Sequence, residues 1–376
     1  MKLLLINSEY PPVGGGAGNA TANIARELAH MGNDVMVVTS RFGQQPACEV
    51  QDGVDIRRIP ALRRRQDRST VFEQLVFILS ASFRTLSLVR DFQPDATLAF
   101  FGIPSGAVAW LLREFHGIPY VVSLRGGDVP GFRPYDFQLH HKLMSPFLRC
   151  IWKDAGSVVA NSSGLREMAR RFDSSVEIPV IPNGVDLEKF SLAEREWTPP
   201  RLLSVGRVVY QKGLDLAMRA LAELKSQPWE WRIAGDGPQM NSLKKLAAEL
   251  GIEDRIRFAG WQSKEQLRER YQQANLFLFP SRHEGMPNAI LEAMACGLPV
   301  IATQIAGNEE LVVKNKTGLL VPPEDVDTLR EALQTLLPDS ARRFTMGQAA
   351  RRRVEEHYSW TRVAEGYARL FEDLIE

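Results

Sequence analysis

Short apolar runs alternate along most of this chain with segments whose apolar positions recur every three or four residues. That alternation is the pattern of parallel strands covered on both faces by helices. In the first half it predicts strands over residues 2–7, 35–40, 96–100, 120–124 and 157–160. Helices are expected between them over residues 17–31, stopped by Gly32, and over residues 104–116, stopped by Gly117 and Pro119. These are βαβ units.

The rhythm breaks over residues 178–200, where Pro179, Pro182, Pro199, Pro200 and the turn-forming Asn183-Gly184 suit a linker. A second βα series follows. Strands are expected over residues 202–205, 229–234, 255–258, 276–279 and 300–303, with helices over 213–223, 240–250, 264–273 and 288–296. The tail places Trp360, Val363, Ala364, Tyr367, Leu370, Phe371 and Leu374 at helical spacing, so a closing helix is expected. The reading is a first Rossmann-like domain over 1–180, a linker over 181–200, a second domain over 201–356, and a terminal helix over 357–376 that can cross back to the first. Two facing lobes imply a cleft between them.

Composition narrows the picture. With 376 residues, 44% hydrophobic and 24% charged, the chain is too apolar to be disordered and too long for a single core. A net charge of +1 gives no global drive toward nucleic acid. Cys48, Cys150 and Cys296 are isolated, which excludes a disulfide framework or a zinc cluster and reads as three buried thiols. The N-terminal apolar run meets Asn7 and Glu9 too soon for a signal-peptide core, and Glu73, Gln74 and Arg84 make residues 71–89 a poor spanning helix. A cytoplasmic location is therefore expected.

The candidate chemistry lies in the turns. The first strand runs into Gly14-Gly15-Gly16, bare backbone at a helix N-terminus that suits an anion or a sugar. It is not a dinucleotide fingerprint, because the sixth position is Asn19, and Gly235-Asp236-Gly237 fails the same test at Met240. An NAD-dependent dehydrogenase is disfavoured on that ground. Arg207 and Lys212, five residues apart in the loop after the second domain's first strand, could together neutralise a diphosphate. Farther on, Glu284 precedes a helix that Pro287 is expected to start, and Glu292 lies about a turn and a half inside it. The two carboxylates can reach separate hydroxyls of one ligand, with amides of Gly285, Met286, Asn288 and Ala289 available to its oxygens.

With those residues the sequence resembles the retaining glycosyltransferases of family 4, which have the GT-B fold. The likeness spans nearly the whole chain. It runs through the glycine turn, Arg125-Gly126-Gly127-Asp128, Ile181-Pro182-Asn183-Gly184-Val185-Asp186, the cation pair, the glutamate pair and Tyr358-Ser359-Trp360. It implies an α/β architecture of two Rossmann-like parallel-sheet domains and transfer of a sugar, a hexosyl group being expected, from a nucleotide-diphosphate sugar to a glycan or lipid-linked acceptor. By the same likeness Arg207 and Lys212 bind the diphosphate, Glu284 the donor sugar and Glu292 the ribose. Gly15, Gly16 and the backbone from Gly285 through Met286, Pro287 and Asn288 to Ala289 also serve the donor. Neither a metal nor another cofactor is implied. The catalytic set is then Glu284, Asp128, Arg207 and Lys212, with Arg125 and Asp128 on the acceptor side. Relatives often carry His where Arg125 stands and after the strand ending at Phe100-Phe101; an Arg cannot give up its proton near neutrality, so acid–base chemistry is not expected at Arg125.

The alternative on the same frame is a nucleotide-sugar epimerase or hydrolase, which would need no acceptor. Residues 57–68 hold six Arg and one acid beside the apolar 71–89 stretch. An anionic membrane surface is accordingly a further candidate partner, engaged peripherally at the inner face.

Overall fold

The computed structural model describes residues 1–65, 69–131, 138–196 and 198–375. It divides into two compact units, Met1–Asn183 with Trp360–Glu376, and Gly184–Ser359.

The first unit begins with β1 (Lys2–Ile6), α1 (Gly16–His30), β2 (Asp34–Arg41), β3 (Cys48–Gln51), β4 (Val54–Pro60) and α2 (Val71–Phe92). It continues through β5 (Ala96–Phe100), α3 (Gly106–His116), β6 (Tyr120–Leu124), α4 (Gln138–Asp154), β7 (Ser157–Ala160) and α5 (Ser163–Phe172). The seven strands lie in the order β3-β4-β2-β1-β5-β6-β7, parallel except for the antiparallel edge pair β3–β4. Side chains alternate across this sheet as strand geometry requires. Leu4, Ile6, Met36 and Val38 join one buried cluster, and Leu3, Leu5, Val35 and Val37 the other. α2 is started by a reciprocal cap in which Thr70 accepts from the Glu73 amide and Glu73 accepts from the Thr70 amide.

The second unit runs through β8 (Arg201–Val205), α6 (Leu214–Ala222), β9 (Glu230–Ala234), α7 (Met240–Glu249), β10 (Ile256–Gly260), α8 (Lys264–Gln273), β11 (Leu276–Phe279) and α9 (Asn288–Ala295). β12 (Val300–Thr303), α10 (Ala306–Leu311), β13 (Gly318–Val321), α11 (Val326–Leu336) and α12 (Ser340–His357) complete it. Its six parallel strands follow the order β10-β9-β8-β11-β12-β13. The chain ends in α13 (Trp360–Ile375), which belongs to the first unit and buries Trp360, Val363, Tyr367 and Phe371 beside α1 on one face of that sheet.

The ten strands expected from periodicity are present within two residues at each end. β3, β4 and β13 were not expected: each lies at or next to a sheet edge, charges at Glu49, Asp55, Arg57 and Arg58 interrupt the apolar pattern of β3 and β4, and β13 is a four-residue strand that opens on Gly318. α12 also escapes a period-based reading, because buried Arg343 occupies an apolar position and donates to the carbonyls of Leu336 and Leu337.

Candidate functional site

In a parallel sheet, ligands collect outside the carboxyl ends of the strands where the strand order reverses direction. In the second unit that point lies between β8 and β11, and the loops after these two strands carry the predicted cations and glutamates. Gly206, Arg207, Lys212, Phe279 and Pro280 line a shallow hollow there, open to solvent. Gly213 makes the tight fit of the loops possible. Its φ of +61° is left-handed, and a Cβ would run into the carbonyl of Pro280.

Lys212 and Glu284 meet directly. Lys212 Nζ lies 2.6 Å from Glu284 Oε1, with the two side chains 18% and 11% exposed, and stands 4.6 Å from the centre of the Phe279 ring. Arg207 is exposed in the same hollow and pairs with no carboxylate among the described residues. The two loops are bolted together by residues that the sequence did not single out. Arg282 grips Asp215 with two bonds of 2.9 Å, binds Glu324 and the Tyr210 carbonyl, and stacks 3.9 Å from the Tyr210 ring. Hydrogen bonding to Asp215 leads the effects that hold its pKa above the usual guanidinium range. Gln211 Nε2 donates to the His283 carbonyl at 2.6 Å, and the Arg282 amide to the Gln211 carbonyl at 2.7 Å. A cation two residues before Glu284 was the available signal; its partners, 42 to 72 residues away, were not.

After Glu284 the chain passes Gly285 and buried Met286 to α9. The helix begins at Asn288, so Pro287 is its capping residue instead of its first helical one. Glu292 sits one turn in. Tyr271, fully buried on α8, donates its hydroxyl to Glu292 Oε2 at 2.8 Å. Burial pushes the Glu292 carboxyl up to about 7, against the opposing pull of the Tyr271 bond and Lys264.

In the first unit the corresponding reversal lies between β1 and β5. The turn after β1 leaves Gly15 and Gly16 exposed, and the Gly15 amide faces Glu9 Oε2 at 3.4 Å. Glu9 is in turn 3.7 Å from Arg63, whose guanidinium also donates to the Ser8 carbonyl. Asp128 is buried, and its carboxylate accepts amides of Gly102 at 2.9 Å and of Arg125 and Gly126 at 3.0 Å. Its oxygens therefore shape the turn after β6. Burial raises its pKa against those bonds. Arg125 stacks 4.8 Å from the Phe100 ring and donates to Asn183 Oδ1 at 2.7 Å and to the Tyr367 hydroxyl at 3.4 Å. Tyr367 also shares a 2.7 Å hydrogen bond with Ser123, so α13 is tied into this turn. Asn183 lies in the quoted linker motif and Tyr367 on the apolar stripe of the tail, but no pattern in the sequence joins them to Arg125.

The reading of the cysteines and of the basic segment also needs correction. Cys296 is buried, but Cys48 on the edge strand β3 and Cys150 on α4 are exposed. Not all of the basic 57–68 segment is free to meet a membrane: Arg57 and Arg58 belong to β4, Arg58 is buried on Glu49 at 2.5 Å, and Arg63 is buried against Ser8. Arg64 and Arg65 are exposed, and Arg68 lies outside the described residues. Among the described residues no group of three His, Cys, Asp or Glu side chains could hold a metal ion.

Comparison with known proteins is consistent across both units. Residues 188–353 match the family described as glycosyl transferases group 1, and residues 15–184 that described as glycosyl transferase 4-like domain. Over 303 residues the chain is 31% identical to the amylovoran biosynthesis glycosyltransferase AmsK of Erwinia amylovora, covering 75% of this chain and 72% of the relative. Its fold is similar to that of sucrose-phosphate synthase from Thermosynechococcus elongatus, with a TM-score of 0.86, 24% identity and coverage of 100% and 99%. Anabaena HepE, solved in complex with UDP-glucose, aligns with a TM-score of 0.76 at 18% identity, with all of both chains covered.

Proposed function

The chain belongs to the group 1 glycosyltransferases and has the GT-B fold, and from that premise we propose that it transfers a hexosyl group, with retention, from a nucleotide-diphosphate sugar to a glycan or lipid-linked acceptor. The observation that carries this reading is the Lys212–Glu284 pair beside Arg207 at the strand-order reversal of the second unit. Two cations suit a diphosphate, and a carboxylate next to them suits the hydroxyls of the sugar that the diphosphate carries. The complex of HepE with UDP-glucose supports a donor of that class.

In this reading Arg207 and Lys212 hold the diphosphate, Glu284 orients the donor sugar, and Glu292 meets the ribose. Amides of Gly285, Met286, Asn288 and Ala289 and the Pro287 backbone between them, with Gly15 and Gly16, serve the donor. Arg125 faces the acceptor, and Asp128 fixes the turn that presents it. The bond between the anomeric carbon and the β-phosphate oxygen breaks first, leaving positive charge on the sugar and negative charge on the departing diphosphate. Arg207 and Lys212 stabilise the latter. The acceptor hydroxyl enters on the face the phosphate leaves, and its proton passes to a phosphate oxygen as the new C–O bond forms. Glu284 acts by binding and orientation, not as a nucleophile.

Thermal-unfolding screens against nucleotide sugars identify the donor, since a ligand at 100 times its Kd stabilises by about 2.7 kcal/mol. NMR of the product with that donor reads the anomeric configuration. Conversion of the donor without any acceptor would replace this reading with an epimerase or hydrolase.

A further inference from the structure

The most conspicuous surface outside the candidate site is the outer face of α2. Its inner face is spent on the core, with Phe77, Ala81, Thr85 and Val89 buried. On the opposite face Phe72, Leu75, Leu79 and Phe83 follow one another at about one per turn and are 64%, 52%, 62% and 76% exposed. Single exposed apolar residues are ordinary, but an aligned row is not. These four side chains together leave roughly 400 Å² of apolar surface in water. Among the described residues α2 is also the one helix long and apolar enough to cross a membrane by length and composition, a difference from the sequence reading. Because one side of it is packed into the first unit, spanning is not open to the folded chain, and lying along an interface is.

Charge points to what the face meets. Exposed Arg64 and Arg65 stand just before the helix, and Arg84 and Arg90 are exposed along it. Among the described residues the acids on this helix are Glu73, which is buried in the N-terminal cap, and Asp91 at the far end; Asp67 and Arg68, one acid and one base, lie outside the described residues. An apolar row bordered by arginines fits an anionic lipid surface, the rings and Leu side chains entering the acyl boundary and the guanidinium groups meeting headgroup phosphates. The same end of α2 is tied to the glycine turn: Arg63, next to Arg64, reaches Glu9 and Ser8, and Glu9 faces Gly15.

We propose that the α2 face formed by Phe72, Leu75, Leu79 and Phe83, with Arg64 and Arg65, docks this protein on an anionic bilayer. Docking through it sets the glycine turn of the first unit next to the membrane, where a lipid-linked acceptor would be presented. This goes beyond the donor reading and does not depend on it.

The test is co-sedimentation of the full chain with phosphatidylcholine vesicles, with and without 30% phosphatidylglycerol, at low and high salt. The expected result is binding to the anionic vesicles that weakens with salt, and at least tenfold weaker binding by the Phe72→Ser/Phe83→Ser double variant. Arg64→Glu/Arg65→Glu should abolish the preference for phosphatidylglycerol. All these side chains are exposed, so both variants should keep the unfolding temperature and the nucleotide-sugar response of the parent. Equal binding to both vesicle types, or none, overturns the proposal. So does a concentration-dependent dimer in sedimentation velocity that the double Phe variant dissolves, which would make a second copy the occupant of this face.

Discussion

Replacing Glu284 by Gln separates two roles that the Lys212–Glu284 contact combines. At 2.6 Å, and with both side chains largely shielded, the carboxylate neutralises the ammonium that a diphosphate must use. A phosphate arriving at Lys212 comes within about 5 Å of that carboxylate, and at an effective dielectric near 20 the repulsion is roughly 3 kcal/mol, reduced to about 1 to 2 by ions and solvent. Glu284→Gln should therefore bind the nucleoside diphosphate of the donor found by screening about tenfold more tightly by calorimetry, while sugar transfer falls at least 100-fold because the hydroxyl-orienting charge is gone. Lys212→Met should do the opposite, weakening binding of that nucleoside diphosphate by about tenfold or more. Each single change strands one half-shielded charge and should cost about 1 to 2 kcal/mol, a few degrees in Tm, with part of the loss recovered in the double variant. Weaker nucleoside-diphosphate binding by Glu284→Gln, or transfer close to the parent's, would refute this account of the site.

Glu292 makes stability depend on pH. Its folded pKa of about 7 lies above its ordinary 4.5, so the native state holds the proton more tightly than the unfolded chain. The stabilisation is complete below about pH 4.5 and is lost as pH rises through 7, by up to about 3 kcal/mol; Glu292→Gln should flatten denaturant midpoints over that window. Gly213→Ala forces a Cβ onto the Pro280 carbonyl at a left-handed φ, so a loss of about 2 kcal/mol or more and a weakened nucleotide-sugar response are expected in thermal unfolding. Ending the chain after Ser359 removes buried Trp360, Val363, Tyr367 and Phe371 from the first unit. At roughly 2 kcal/mol each that loss is comparable to the whole stability of a domain, and circular dichroism should show that unit unfolded.

Much of the site was legible because its residues sit next to strand ends in the sequence. Periodicity marks where β8 and β11 stop, and Arg207, Lys212 and Glu284 fall in the residues immediately after. The pairing of Lys212 with Glu284 was not legible. Each was assigned its own ligand, since nothing local in the chain reports a contact across 72 residues. Asp128 shows the same limit: an acid in a polar turn looks free to bind a ligand until three backbone amides are found on it.

The order of apolar and polar positions thus determined the parallel α/β architecture by itself, because the strand and helix periods are properties of the backbone. It also located the chemistry-bearing turns. What only the tertiary structure decided is which side chains meet: Lys212 with Glu284, Glu292 with Tyr271, Arg125 with Tyr367, and Arg63 with the glycine turn. It likewise decided that one face of α2 stays in water. Burial and long-range pairing depend on how the elements stack, and stacking is settled by packing over the whole unit, which no local stretch of sequence encodes.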